Sequence, residues 1–253
     1  MYLIFMLLAA GVAAATNEPD DGQWRKRFYR ANGAYAEGDY DRALELYEAL
    51  VEEGVDSGAL YYNIGNCFYK MKDPARAILF YQRARRLIPS DPDLQANYAV
   101  ALAATAVVAA PGGGNWIERT LARPFSSMTL DGIAIMILLV NAGIFGMLIT
   151  GMIRPATLGW SRGLAAIFLI AGVWAGIEGL RRLSLYPLEA VVLKETQARF
   201  EPQDDSTAYF HLTAGEPVQA VKESRGWTKV RRSDGKTGWI EATVCEHVSL
   251  PVR

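Results

Sequence analysis

Residues Gly132 to Ile153 form a run of 22 without a charged side chain, and nothing else in this 253-residue sequence limits its folding as sharply. At helical rise the run reaches about 33 Å, enough to cross a hydrocarbon core of about 30 Å, so it reads as a membrane span. A second run, Gly163 to Ile177, is shorter. Leu180 continues it beyond Glu178, however, Trp160 precedes it, and Arg162, Arg181 and Arg182 stand where long basic side chains reach the interface. It reads as a second span; the alternative for either run is a buried helix in a soluble core. Glu178, three residues from Arg181, reads as a paired or solvated helix-end residue rather than a functional intramembrane carboxylate.

The predicted spans, 130–153 and 163–182, are joined by a loop over 154–162 that carries Arg154 and Arg162. The loop arginines favour a cytoplasmic loop, although Arg119, Arg123, Arg181 and Arg182 on the far sides weaken the bias. Residues 1–15 are apolar and end in Ala13-Ala14-Ala15, the pattern of a secretory signal without a basic start, and 16–23 follow as a short linker. An exported segment followed by a two-span hairpin puts both polar parts on the same, extracytoplasmic side.

Composition removes several functions. With 51% apolar residues the chain is no disordered tail, and 26 Lys+Arg against 27 Asp+Glu, with no sustained basic run, lacks the footprint of a nucleic-acid binder. Two cysteines, Cys67 and Cys245, and two histidines, His211 and His247, build neither a disulfide scaffold nor a four-ligand zinc site. No metal or cofactor is expected. Cys67 occupies a small packed position and reads as a buried free thiol.

Before the spans the sequence repeats at an offset of 34 residues, aligning Asn32 with Asn66, Tyr35 with Tyr69, Asp39 with Asp73, Ala43 with Ala77 and Tyr47 with Tyr81. The spacing within each unit is helical, broken by Gly38-Asp39-Tyr40 and Lys72-Asp73-Pro74, so each unit reads as helix-turn-helix. Gly65, Phe68, Tyr69, Ala77, Tyr81, Ala84 and the closing Pro89 resemble the tetratricopeptide repeat. The second repeat, 58–91, matches well; the first, 24–57, has Ala31 for the glycine and no closing proline. Asp93 to Ala104 reads as a capping helix, completing a domain over 24–108, with a linker over 109–129 containing Pro111 and three glycines. The resemblance implies a groove lined by the first helices, where Phe28, Asn32, Tyr35 and Ala36, with Tyr62, Asn66, Tyr69 and Lys70, hold an extended peptide. An asparagine there offers both a donor and an acceptor to a peptide backbone. The other reading has the asparagines bonded within the repeat and the tyrosines as packing.

After the spans, short strand-like runs alternate with turn residues: Ala190 to Leu193, Ala208 to Leu212, Pro217 to Val221, Trp227 to Arg231 and Gly238 to Ile240, with Ser233-Asp234-Gly235 as a hairpin signal. Ala214-Gly215-Glu216-Pro217-Val218, Gly226-Trp227 and Gly238-Trp239-Ile240 resemble the bacterial SH3 family, which implies a small all-β barrel over 189–248 that binds peptides or cell-wall components. Tyr209, Trp227 and Trp239 are the candidate ligand platform.

The expected architecture is a multidomain membrane protein: a tetratricopeptide solenoid, a two-helix transmembrane hairpin and an SH3-like barrel. This order resembles the E component of bacterial aerotolerance (Bat) operons. The resemblance implies an inner-membrane adaptor with periplasmic domains, acting beside von Willebrand A-type membrane proteins and a MoxR-type ATPase in envelope-stress tolerance. A cell-wall sensor that binds peptidoglycan through the barrel is the other expectation. No Gly-x-Ser-x-Gly, His-Glu-x-x-His or Walker signature is present, so an enzyme is not expected.

Overall fold

The computed structural model describes residues 21–105, 128–153, 158–185 and 188–249. The predicted signal over 1–15, residues 16–20, most of the linker over 109–129 and residues 154–157 of the loop lie outside the described residues. The chain divides into two compact units, 1–56 and 57–253.

The described residues of the first unit form α1 (Asp21–Ala36) and α2 (Tyr40–Glu52). Asp39 starts α2: its carboxylate accepts the Arg42 N–H at 3.2 Å, supplying a partner to a donor the helix cannot satisfy itself. Small residues face across the pair, with Ala31, Ala34 and Ala43 buried beside Tyr47 and Leu50. Arg27 and Glu53 form a two-pronged ion pair at the surface, which water screens to little net stability.

The second unit begins with α3 (Gly58–Lys70), α4 (Pro74–Leu87) and α5 (Pro92–Ala103). The same device opens α4 and α5. Asp73 accepts the Arg76 N–H at 3.0 Å and Asp91 the Leu94 N–H at 2.8 Å, and each aspartate precedes a proline whose missing N–H costs nothing in a first turn. Replacing Asp73 by Ala is expected to cost about 1 kcal/mol. Amide exchange in the first turns of α4 should speed up about fivefold; unchanged exchange would remove the cap from the account. Leu60, Ile64, Cys67, Ile78, Leu79, Tyr81 and Ala84 form the core of these helices.

Next come α6 (Leu130–Ile153) and α7 (Leu158–Leu185), the second starting five residues before the span expected at 163. Mean hydropathy is 2.4 over Leu130–Ile153 and 1.8 over Gly163–Arg181, so both are long and apolar enough to cross a membrane. Their apolar side chains also point outward: Leu139 is 68% and Ile170 70% exposed, which a soluble core helix would not leave in water. The two helices pack antiparallel at small residues, Gly143 against Phe168, Gly172 against Val140 and Gly179 against Ile133. Polar groups find partners inside the helices. Asn141 donates to the Ile137 carbonyl and Thr150 to that of Gly146, each at 2.8 Å, and Glu178 accepts both arms of Arg181 at 2.8 and 2.9 Å.

After the two long helices the described residues form seven strands: β1 (Glu189–Val192), β2 (Thr196–Arg199), β3 (Ala208–Leu212), β4 (Pro217–Ser224), β5 (Trp227–Arg231), β6 (Thr237–Glu241) and β7 (Cys245–His247). They form one antiparallel sheet in the order β3-β2-β6-β5-β4-β1-β7. Inward positions carry Ala190, Val192, Ala198, Phe210, Leu212, Val218, Ala220, Val230 and Ile240, a core of small and branched side chains suited to a tight barrel. The five expected runs are all strands; β2 and β7 are additional, and β4 extends three residues beyond Val221.

Within this second unit the barrel lies against α4. The Arg83 side chain, only 5% exposed, donates to the carbonyls of His247 at 2.9 Å and Val248 at 3.2 Å, and pairs with Glu246 at 2.7 Å. Its guanidinium also covers the Phe80 ring at 4.7 Å. Arg86 pairs with Glu189 at 3.3 Å. At Gly215, where φ is +88°, a Cβ would stand 2.8 Å from the Ile78 side chain and 2.9 Å from that of Thr105, so only glycine fits the turn and the contact together.

Candidate functional site

In the first unit, α1 carries Phe28, Asn32 and Tyr35 half-buried and Ala36 exposed. The Asn32 carboxamide oxygen accepts the Tyr47 hydroxyl at 2.6 Å. Phe28 lies 5.7 Å from the Tyr47 ring and Tyr35 lies 5.3 Å from Tyr40.

In the second unit the same clasp recurs, with the Tyr81 hydroxyl donating to the Asn66 carboxamide oxygen at 2.8 Å. From α5, Asn97 donates to that oxygen at 3.0 Å and to the Tyr62 hydroxyl at 2.8 Å. Helix α5 thus closes over Tyr62 and Asn66. Tyr69 stays half-buried and Lys70 exposed at the end of α3. In each unit the acceptor oxygen expected to read a peptide is engaged by the second helix of its own repeat. Asn97 carries no signal in the 34-residue pattern; its part follows from where α5 packs.

On the barrel, Trp227, Lys229 and Arg231 alternate with the buried Thr228 and Val230, so they share the outward face. Trp239 lies opposite Lys229 and Arg199 on the neighbouring strands, and the Lys229 ammonium stands 5.9 Å from the centre of its ring. Both tryptophans are half-buried, and the core is filled without them. The Tyr209 ring lies 4.4 Å from that of Phe200, tilted by 32°, and meets Phe210 edge-on at 5.2 Å. Tyr209 is 43% and Phe200 56% exposed, and the two rings share a shallow cleft with Lys229, Asp234 and Lys236. Lys229 lies both beside Trp239 and in this cleft, and the cleft adds Phe200, which the sequence does not single out, to the expected Tyr209, Trp227 and Trp239. Phe200 follows β2, whose Thr-Gln-Ala-Arg sequence has no apolar alternation to mark the strand that positions it.

Charge fixes the edge of that cleft. Hydrogen bonding from the Arg232 guanidinium, with the Lys236 N–H and the nearby positive charges, holds the Asp234 carboxyl down to about 2. The β5–β6 turn is pinned accordingly. His211 pairs with Glu195 and His247 with Glu223, each at 2.9 Å, on exposed edges. Neither Cys67 nor Cys245 forms a disulfide, and burial pushes the Cys245 thiol up, away from a reactive thiolate.

The tetratricopeptide repeat family matches residues 30–92 and the bacterial SH3 domain family matches residues 193–245. No curated protein matches the chain. Both matched families are binding domains. The chain therefore carries two interaction modules, one on each side in sequence of two helices fit to cross a membrane.

Proposed function

We propose that this chain is a non-enzymatic inner-membrane adaptor, with its repeats and its barrel on the same extracytoplasmic side, that holds protein partners in an aerotolerance or envelope-stress complex. The observation that carries the reading is the Arg83 contact: a repeat before the hairpin and a barrel after it meet through a buried and a part-buried hydrogen bond, which supports placing both on one side of the bilayer. Even parity of spans agrees with that contact. The partner classes follow from the resemblance to the Bat E component: von Willebrand A-type membrane proteins and a MoxR-type ATPase system.

Partner peptides engage the first helices, at the half-buried Phe28, Asn32 and Tyr35 on α1 and at the half-buried Tyr62, Asn66 and Tyr69 with the exposed Lys70 on α3. A photo-crosslinker is best placed at Lys70, since Asn66 is half-covered by α5. Crosslinking in intact membranes followed by mass spectrometry is expected to capture a membrane-anchored partner. Reporter fusions after Arg253 are expected to be active outside the cytoplasm; activity only inside it would overturn the topology.

A second reading, peptidoglycan binding, is favoured by the exposed Phe200–Tyr209 pair, because two exposed aromatic rings beside lysines suit a sugar face with acidic substituents. Retention of the detergent-solubilised chain on purified sacculi, lost in Phe200→Ala/Tyr209→Ala, separates this reading from a purely proteinaceous one.

A further inference from the structure

A cleft of about 580 Å³ lies in the second unit where α4, the C-terminal end of α7 and one side of the barrel meet. Its charged lining is Arg85, Arg86, Arg181, Arg231 and Arg232 with a single carboxylate, Glu189. Three of the arginines have acidic partners, Arg86 in Glu189 at 3.3 Å, Arg181 in Glu178 at 2.8 Å and Arg232 in Asp234 at 2.5 Å. Arg85 and Arg231 are exposed, and among the described residues neither has a carboxylate within ion-pair distance. Arg85 is held in place all the same, its guanidinium 4.7 Å from the Tyr98 ring, which orders the group without using its N–H donors on an acid. Arg231 is fixed by strand pairing with Gln219 on one side and Thr237 on the other.

With Arg86, Arg181 and Arg232 already offset by carboxylates, Arg85 and Arg231 leave the hollow with a surplus of positive charge that favours an anion. The fork of arginine N–H groups matches the oxygens of a phosphate. Position narrows the source. Arg181 lies in the last turns of α7, where the apolar helix surface gives way to charge, so the cleft sits at the height of lipid head groups. Its volume falls within the range of about 300–1,000 Å³ typical of small-molecule sites, larger than a bare phosphate needs and suited to a glycerophosphate head.

We infer that this cleft binds the phosphate of an anionic phospholipid head group, with Arg85 and Arg231 as direct ligands and Arg86, Arg181 and Arg232 setting the positive potential. The inference goes beyond the adaptor reading and rests only on α7 as a membrane span, not on compartment or protein partners.

The test uses the full chain, delipidated in neutral detergent, with unfolding midpoint read against added dihexanoyl phosphatidylglycerol, dihexanoyl phosphatidylcholine or inorganic phosphate. Phosphatidylglycerol is expected to raise the midpoint saturably. Arg85→Gln/Arg231→Gln is expected to weaken that response at least tenfold, whereas Lys194→Gln/Lys222→Gln, which removes the same charge elsewhere on the barrel, leaves it within twofold. All four side chains are exposed, so both double variants should fold. Absence of saturation, equal losses in the two variants, or an equal response to phosphatidylcholine overturns the site. Inorganic phosphate acting as tightly as the lipid overturns the lipid assignment in favour of a soluble phosphate. None of these outcomes depends on whether a protein partner is captured at Lys70.

Discussion

Arg83→Ala is expected to release the barrel from α4 and to cost about 3 kcal/mol, judged from the groups it leaves behind. The ion pair with Glu246 is the lesser part, because Glu246 is 48% exposed and water takes over much of its charge. The carbonyls of His247 and Val248 matter more. Val248 is 1% exposed, and its carbonyl and that of His247 would lose a charged donor with little solvent to replace it. The ordering of variants follows: Glu246→Gln should cost about 1 kcal/mol or less, Arg83→Met should cost nearly as much as Arg83→Ala despite keeping volume, and Arg83→Lys should fall between. Hydrogen exchange on the detergent-solubilised chain would show α4 and β7 losing protection together in Arg83→Ala. If β7 keeps its protection while α4 loses it, the contact does not hold the two modules together.

Gly65→Val is expected to cost about 3 kcal/mol or more and to open the second repeat. A Cβ at Gly65 would stand 2.6 Å from two carbons of the Tyr81 ring and 3.3 Å from the Ala77 carbonyl oxygen. The ring has nowhere to go: Tyr81 is 1% exposed and its hydroxyl is tied to Asn66. Backbone conformation is not at issue, since φ at Gly65 is not positive; the requirement is close approach of α3 to α4. The first unit offers an internal comparison, because Ala31 occupies the equivalent position and is fully buried beside an equivalent Tyr47–Asn32 clasp. Gly65→Ala should therefore cost less than Gly65→Val, part of the clash being returned as helix propensity of up to about 1 kcal/mol. Midpoints of thermal unfolding read the series; a Gly65→Val chain as stable as the native one would contradict the close approach.

Much of the architecture is legible in local chemistry. Aspartate before proline marks where α4 and α5 begin because capping is a matter of three or four consecutive residues, and alternation in Trp227 to Arg231 marks β5 because one face of that strand meets the core. Thr196 to Arg199 escapes for the opposite reason. Only Ala198 of β2 is buried, so pairing with β3 and β6 makes the strand rather than its own pattern. The candidate site divides the same way. The 34-residue offset brings out Asn32 and Asn66, yet it says nothing of Asn97, which reaches Asn66 only once α5 has folded back. Nor does spacing reveal that Tyr209 meets Phe200, or that Arg83 serves the barrel. Those partners are long-range, and a partner 165 residues away leaves no trace in local periodicity.

That separation also sets an order of events during biogenesis. Val248 leaves the ribosome 165 residues after Arg83, a delay of roughly 10 to 30 s at about 5–20 residues per second. Through that interval the repeat is already made and the face of α4 that will receive the barrel has no cover. The Arg83 contact is therefore among the last to form: until residues 246–248 are made, its guanidinium lacks the carboxylate and carbonyls that it meets in the folded chain.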